Sequence, residues 1–185
     1  MRRLVPSRCN ISRFGRDERG SASIEAMIMI PMVFWVYLAM FAFFQTYQEY
    51  NANQKAAYTI GDMISRETLP LDADYLNGVQ LLDYMPRSSE QASVRITSLQ
   101  YSLADKRFYV HWSRSRGLKP PVNDADVSTW TSRIPVMPDG EFIVITETWT
   151  KYKPPFNVGL GAQDIENFVY TRPRYAPRVL YSGAT

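Results

Sequence analysis

From Ala26 to Phe44 the sequence AMIMIPMVFWVYLAMFAFF runs 19 residues without a charge, and on either side the pattern turns mixed. At about 1.5 Å per residue, a helix of this length nearly matches a hydrocarbon core of roughly 30 Å. The lack of a polar face over about five turns argues against a buried helix of a soluble domain. A cleaved secretory signal has a shorter apolar core that ends in small residues, whereas this run closes with FAFFQTYQEY. The pattern therefore predicts a retained membrane span. Pro31, early in the run, removes a backbone donor and predicts a kink.

Beyond the span the helical period continues through QTYQEYNANQKAAYTIGDMISRET, with Ala52, Ala56, Ile60, Met63 and Ile64 at steps of three and four. One long helix is expected, its first half in lipid and its second half an amphipathic stalk against a soluble domain, with Gly61 weakening the final turns. LDADYLNGVQLLDYMP predicts a second helix, capped by Asp72, with Tyr75, Val79 and Leu82 on one face and Pro86 at its end. ASVRITSLQYSL alternates, but its phase slips between Val94/Ile96 and Leu99/Tyr101/Leu103, which predicts a bulge near Thr97 and Ser98. A Leu-Ala-Asp-Lys turn leads into RFYVHWS, with Phe108, Val110 and Trp112 on a shared face, so the two runs form an expected hairpin.

DADVSTWTSRI predicts a short helix with Val127, Trp130 and Ile134 inward, and the Pro138 to Gly140 turn leads into EFIVITETWTKY. Phe142, Val144 and Thr146 alternate there with Ile143, Ile145 and Glu147, so both faces carry apolar atoms, as in a central strand covered on both sides. NFVYTRPRY suits a sheet edge, because Pro173 has no place inside a ladder. The fold class expected is α+β: a long N-terminal helix, transmembrane then stalk, with a small antiparallel sheet domain of about four strands. Three segments follow: a basic leader at 1–20, span and stalk at 21–66, and an α+β domain at 67–185.

Charge sharpens the orientation. Arg2, Arg3, Arg8, Arg13, Arg16 and Arg19 stand against Asp17 and Glu18 in the leader, a net of +4, and leave 15 basic and 16 acidic residues for the rest. The arginines favour the cytoplasmic side of a bacterial inner membrane and the near-neutral remainder is expected in the periplasm. With the excess positive charge confined to the leader, the main body has no basis for a nucleic-acid partner. Cys9, the single cysteine, sits in the leader, without the apolar stretch that a lipoprotein site has in front of it.

Candidate chemistry is sparse. His111 is the only histidine and lies mid-strand, where an ordinary strand residue is expected before a general base or a ligand. No metal-ligand spacing surrounds it. Gly159 to Ala162, GLGA, lacks the Lys-Ser/Thr of a phosphate-binding loop, and no serine has a nucleophile-elbow context. Aromatic residues, 14% of the chain, are scattered as core packing would scatter them. No enzyme activity, cofactor or metal is expected.

The boundary RGSASIEAMIMIPM, residues 19 to 32, holds the distinctive feature: a glycine, four residues, then one glutamate at the mouth of the span. A charge there costs a few kcal/mol at the membrane centre and less at the interface, and usually marks function. A cut between Gly20 and Ser21 would set a new ammonium about one helical turn from Glu25, and glycine gives a protease close access to the backbone. Gly20, Ser21 and Glu25, followed by the apolar helix, resemble the processing site of type IV prepilins and pseudopilins. RFGRDERGSASIEAMIMIPM is similar to the start of TadE/TadG-like proteins of the Tad (Flp, tight-adherence) pilus, and IPVMPDGEFIVITETWTKYKPPF and YTRPRYAPRV resemble that family's C-terminal half.

This resemblance implies a minor pilin-like protein. It would be processed after Gly20 by a prepilin peptidase, with Glu25 serving assembly. Its partners would be the lipid bilayer, other Tad minor pilins, the Flp pilin and the inner-membrane assembly platform. The alternative is an unprocessed single-pass envelope protein whose periplasmic domain binds a partner.

Overall fold

The computed structural model describes residues 19–84, 92–156 and 158–183. Helix α1, Arg19–Arg66, has 48 residues and runs through Pro31 without interruption. Helix α2, Ala73–Tyr84, follows. The strands are β1, Ser93–Ser102, β2, Arg107–Arg116, β3, Phe142–Tyr152, and β4, Gln163–Thr171. Between β2 and β3 lie a single α-helical turn, α3, Asp124–Val127, and a 3₁₀ turn, Ser128–Ser132. The four strands form one antiparallel sheet in the order β2-β1-β3-β4. The fold is α+β, a long apolar N-terminal helix with a small antiparallel sheet. Two compact units divide the chain at Phe41/Ala42, the second running from Ala42 to Thr185 with the latter part of α1 inside it.

Within this second unit the sheet is covered on both faces, which explains why its central strands are apolar on both sides. On one face Ile60 and Ile64 of α1, Leu76 and Val79 of α2, and Leu71 and Val179 pack on Val94, Ile96, Trp112 and Val144. On the other, Val127, Trp130, Ile134 and Met137 cover Leu99, Phe108, Ile143 and Ile145. The expected inward positions of the short helix, Val127, Trp130 and Ile134, are all buried. The expected cap of α2 is present, the Tyr75 amide donating to Asp72 Oδ1 at 2.7 Å; the Leu82 side chain and Pro86 lie outside the described residues. β3 is interior, β4 is an edge, and Pro173 falls beyond the end of β4.

The expected bulge is present beside Ser98: against β2 Ser98 faces Trp112 and the next residue, Leu99, faces Val110, while β1 pairs with β3 in unbroken register. The extra residue is His111, on β2. The apparent slip along β1 arises because Val94 and Ile96 point to one covered face while Leu99 and Tyr101 point to the other. One expectation for this hairpin needs correction: because the extra residue His111 breaks the alternation of β2, Phe108, Val110 and Trp112 do not share a face, and Phe108 and Val110 belong to the Trp130 side while Trp112 belongs to the helix side.

The stalk stripe is rotated in part. Asn53, Ala57, Ile60, Gly61, Ile64 and Ser65 are the buried positions, so the expected Ile60 and Ile64 are in place, whereas Ala52 and Ala56 lie at the border and Met63 is 38% exposed. Ala57 and Gly61 leave room for the helix to approach the sheet beside the larger Ile60 and Ile64. A Cβ on Gly61 would stand 2.8 Å from Thr171 Oγ1 and 3.5 Å from Val169, so glycine marks the closest approach and not a weak helix end. The carbonyl of Ser65, near the end of α1, accepts from the Arg174 amide at 2.8 Å.

The C-terminal segment forms a strap absent from the sequence reading. Leu71 bridges in parallel to Tyr181, its amide donating to the Leu180 carbonyl and its own carbonyl accepting from the Ser182 amide, both at 2.8 Å. Trp112 Nε1 donates to the Val179 carbonyl at 2.9 Å, which fastens the strap over the helical face.

Candidate functional site

Gly20 and Ser21 lie in the first described turn of α1, and Glu25 follows on the same helix. Glu25 is four positions beyond Ser21, about 6 Å along the axis and slightly more than one turn, so the two positions share a face. The Glu25 side chain is exposed. From Glu25 the next charged residue is Glu49. Between them most apolar side chains are exposed, with Met27 74%, Ile28 66%, Val33 63% and Phe44 61% accessible, while Leu38 and Ala39 are half-buried and Ala42 is buried. α1 is the one helix among the described residues long and apolar enough to cross a membrane. Tyr47 and Tyr50, exposed just after the run, fit the interfacial position that amphipathic aromatic rings prefer. The leader arginines and Cys9 lie outside the described residues.

The sheet holds a second cluster of polar groups, centred on a buried ion pair. Arg95 on β1 and Glu147 on β3 stand directly opposite, with Arg95 Nε donating to Glu147 Oε2 at 2.7 Å and side-chain exposures of 11% and 6%. Arg95 Nη1 also donates to the Pro120 carbonyl at 3.0 Å, and its guanidinium lies 4.8 Å from the Trp149 ring centre and 5.7 Å from that of Trp130. Trp130 meets Phe168 edge to face at 5.4 Å, and Arg133 covers Phe168 at 3.9 Å. This ladder of cations and rings satisfies the buried charges and stiffens one sheet face. Sequence reasoning missed it because the partners stand 52 positions apart and only the strand register unites them.

His111, the bulge residue, packs edge to face on Phe142 at 5.5 Å and lies 3.5 Å from Arg178 Nη1. Burial lowers its pKa and the Arg178 charge adds to that, so it is neutral around pH 7. Among the described residues no group of three His, Cys, Asp or Glu gathers where a metal ion could sit. The Gly159 to Ala162 loop precedes β4 at an exposed position, except for a half-buried Leu160. A shallow cleft of about 240 Å³ is lined by Lys119, Trp149, Lys151, Asp164 and Glu166 among others.

Comparison with protein-family models, with curated proteins and with solved structures returned no match to this chain.

Proposed function

We propose that the chain is a minor pilin-like (pseudopilin) component of a Tad/Flp pilus, held by α1 in the bacterial inner membrane and cut after Gly20 by a prepilin peptidase. The observation that carries this reading is α1 itself: its exposed apolar surface begins directly after one carboxylate, and Glu25 sits one turn from Ser21 on the same face. Cutting after Gly20 creates an ammonium at Ser21. In one subunit, or between neighbours, that ammonium neutralises Glu25 and removes much of the cost of bringing a carboxylate into an apolar helix packing. The same apolar surface that meets lipid before assembly then meets the helices of other Tad minor pilins and the Flp pilin, delivered by the inner-membrane platform.

The unprocessed single-pass reading draws on one observation: Gly20 and Ser21 are already helical, whereas a protease takes its substrate extended. Processing therefore requires the first turn to unwind, and glycine, about 1 kcal/mol less favourable in a helix than alanine, lowers that cost. Mass spectrometry of the N-terminus in cells with an active prepilin peptidase separates the two readings. A terminus at Ser21 is expected, lost in Gly20→Val; an intact leader in the native protein rejects processing. Glu25→Gln is expected to lower filament number while membrane insertion persists, and unchanged filaments would reject the assembly role.

A further inference from the structure

α1 and β3 lie side by side in opposite directions. The buried Tyr152, last residue of β3, neighbours Thr46 and Glu49, whereas Gly61 faces Thr146, Val169 and Thr171. From Thr46 to Gly61 the helix rises about 22 Å, and from Thr146 to Tyr152 the strand covers about 20 Å. The carboxyl end of β3 is thus level with the turn of α1 just after Phe43 and Phe44, where the uncharged run ends. The register carries this level across the sheet, since Tyr152 faces Gln163, Trp149 faces Ser93 and Val94 faces Arg116.

Two segments leave the sheet at that level, 117–121 and 153–156, and both contain Lys-Pro-Pro beside one bulky apolar residue. Leu118 precedes Lys119-Pro120-Pro121 and is 75% exposed; Phe156 follows Lys153-Pro154-Pro155 and is 42% exposed. Lys151 and Lys153 are exposed on the same rim, and Lys119 Nζ is held 5.3 Å from the Trp149 ring centre. Fixed φ at the prolines limits the freedom these tips lose on docking.

We propose that this rim, with Leu118 and Phe156 as apolar tips and Lys119, Lys151 and Lys153 as cations, rests on the anionic headgroups of the bilayer that α1 enters. The proposal depends on reading α1 as a membrane span. Continuity with the end of the uncharged run selects lipid as the occupant, and exposed Tyr47 and Tyr50 on α1 mark the same interfacial level. Asp164 and Glu166 line the adjoining cleft, so the rim's net charge is small and the apolar tips share the attachment with the lysines. Each basic residue near an anionic surface strengthens binding about fivefold.

The test uses the full chain with Cys9→Ser and single labelled cysteines at Leu118→Cys, Phe156→Cys, Trp35→Cys and Val136→Cys. Val136, 93% exposed, precedes β3 and serves as the reference at the opposite end of the sheet. The chain is reconstituted in phosphatidylcholine vesicles with or without phosphatidylglycerol, with quenchers on the lipids. Quenching at Leu118 and Phe156 is expected several-fold above that at Val136 in phosphatidylglycerol vesicles. The triple variant Lys119→Glu, Lys151→Glu, Lys153→Glu is expected to lower it toward the Val136 level with Trp35 unchanged. Quenching at Leu118 and Phe156 no greater than at Val136, with Trp35 quenched, overturns rim docking and leaves the span intact. An unquenched Trp35 overturns the span reading and the proposal together. Quenching at Leu118 and Phe156 that falls as protein density rises and does not depend on phosphatidylglycerol assigns the rim to a second copy and overturns the lipid assignment.

Discussion

The Tyr75 phenol is pushed up to about 12, first by burial and then by the Glu67 carboxylate beside it. In the unfolded chain the phenol ionises near 10, so between these values the folded state holds a proton that the unfolded state has lost. The stability this group contributes is complete below pH 10 and is lost as pH rises toward 12. Thermal unfolding of the full chain in detergent should show a fall in midpoint across that window, reduced in Tyr75→Phe. The Arg95–Glu147 pair makes a stronger demand, because removing one partner leaves the other buried and uncompensated. Glu147→Leu is expected to cost about 3–5 kcal/mol, whereas Arg95→Met with Glu147→Leu recovers most of that loss. Denaturant midpoints of the three proteins decide it, and equal losses in the single and double variants would show that the pairing is not the cause.

At the scale of elements, the joint between α1 and the sheet depends on size more than on hydrophobicity. Asn53 is fully buried in the stripe, its Nδ2 donating to the Glu49 carbonyl at 2.8 Å, and Gly61 touches the β3 and β4 side chains. Gly61→Ala gains helix propensity of about 1 kcal/mol but forces Thr171 to rotate, so a change near zero is expected. Gly61→Leu overpacks the joint and should cost about 1–3 kcal/mol. Unfolding midpoints read both, and a tolerated leucine would mean that the close approach is not required. The stripe was legible as a helical period, and Ile60 and Ile64 with it, but the rest of its phase was not: apolarity also selected Ala52, Ala56 and Met63, whereas the sheet covers Asn53, Ala57 and Gly61. Gly61 looks like a helix breaker in one dimension and is a contact point in three.

Across the molecule, the two covered sheet faces place β1 and β3 at the centre of the Ala42–Thr185 unit, with β2 and β4 as edges. Hydrogen exchange in detergent should find the slowest amides in β1 and β3, with β4 exchanging earlier because it has a neighbour strand on one side only. Faster exchange in β3 than in β4 would contradict this order. Gly20, Ser21 and Glu25 could be picked out from sequence, since a glycine, an offset and an apolar run are all local. The Lys-Pro-Pro rim could not, because 117–121 and 153–156 come to the same end of the sheet only through the register.

What the sequence determined by itself is what depends on adjacent residues: the length of the uncharged run against bilayer thickness, the helical period that extends it, the Asp72 cap, the turn at Gly140 and the alternation that makes β3 apolar on both faces. These follow from rise per residue, side-chain direction and local hydrogen bonding. Tertiary structure decided the phase of the stalk, the strand that carries the extra residue of the bulge (His111), the Arg95–Glu147 pair and the strap from Val179 to Ser182. Each of those joins residues far apart in the chain, so its energy exists only once packing has chosen which faces meet.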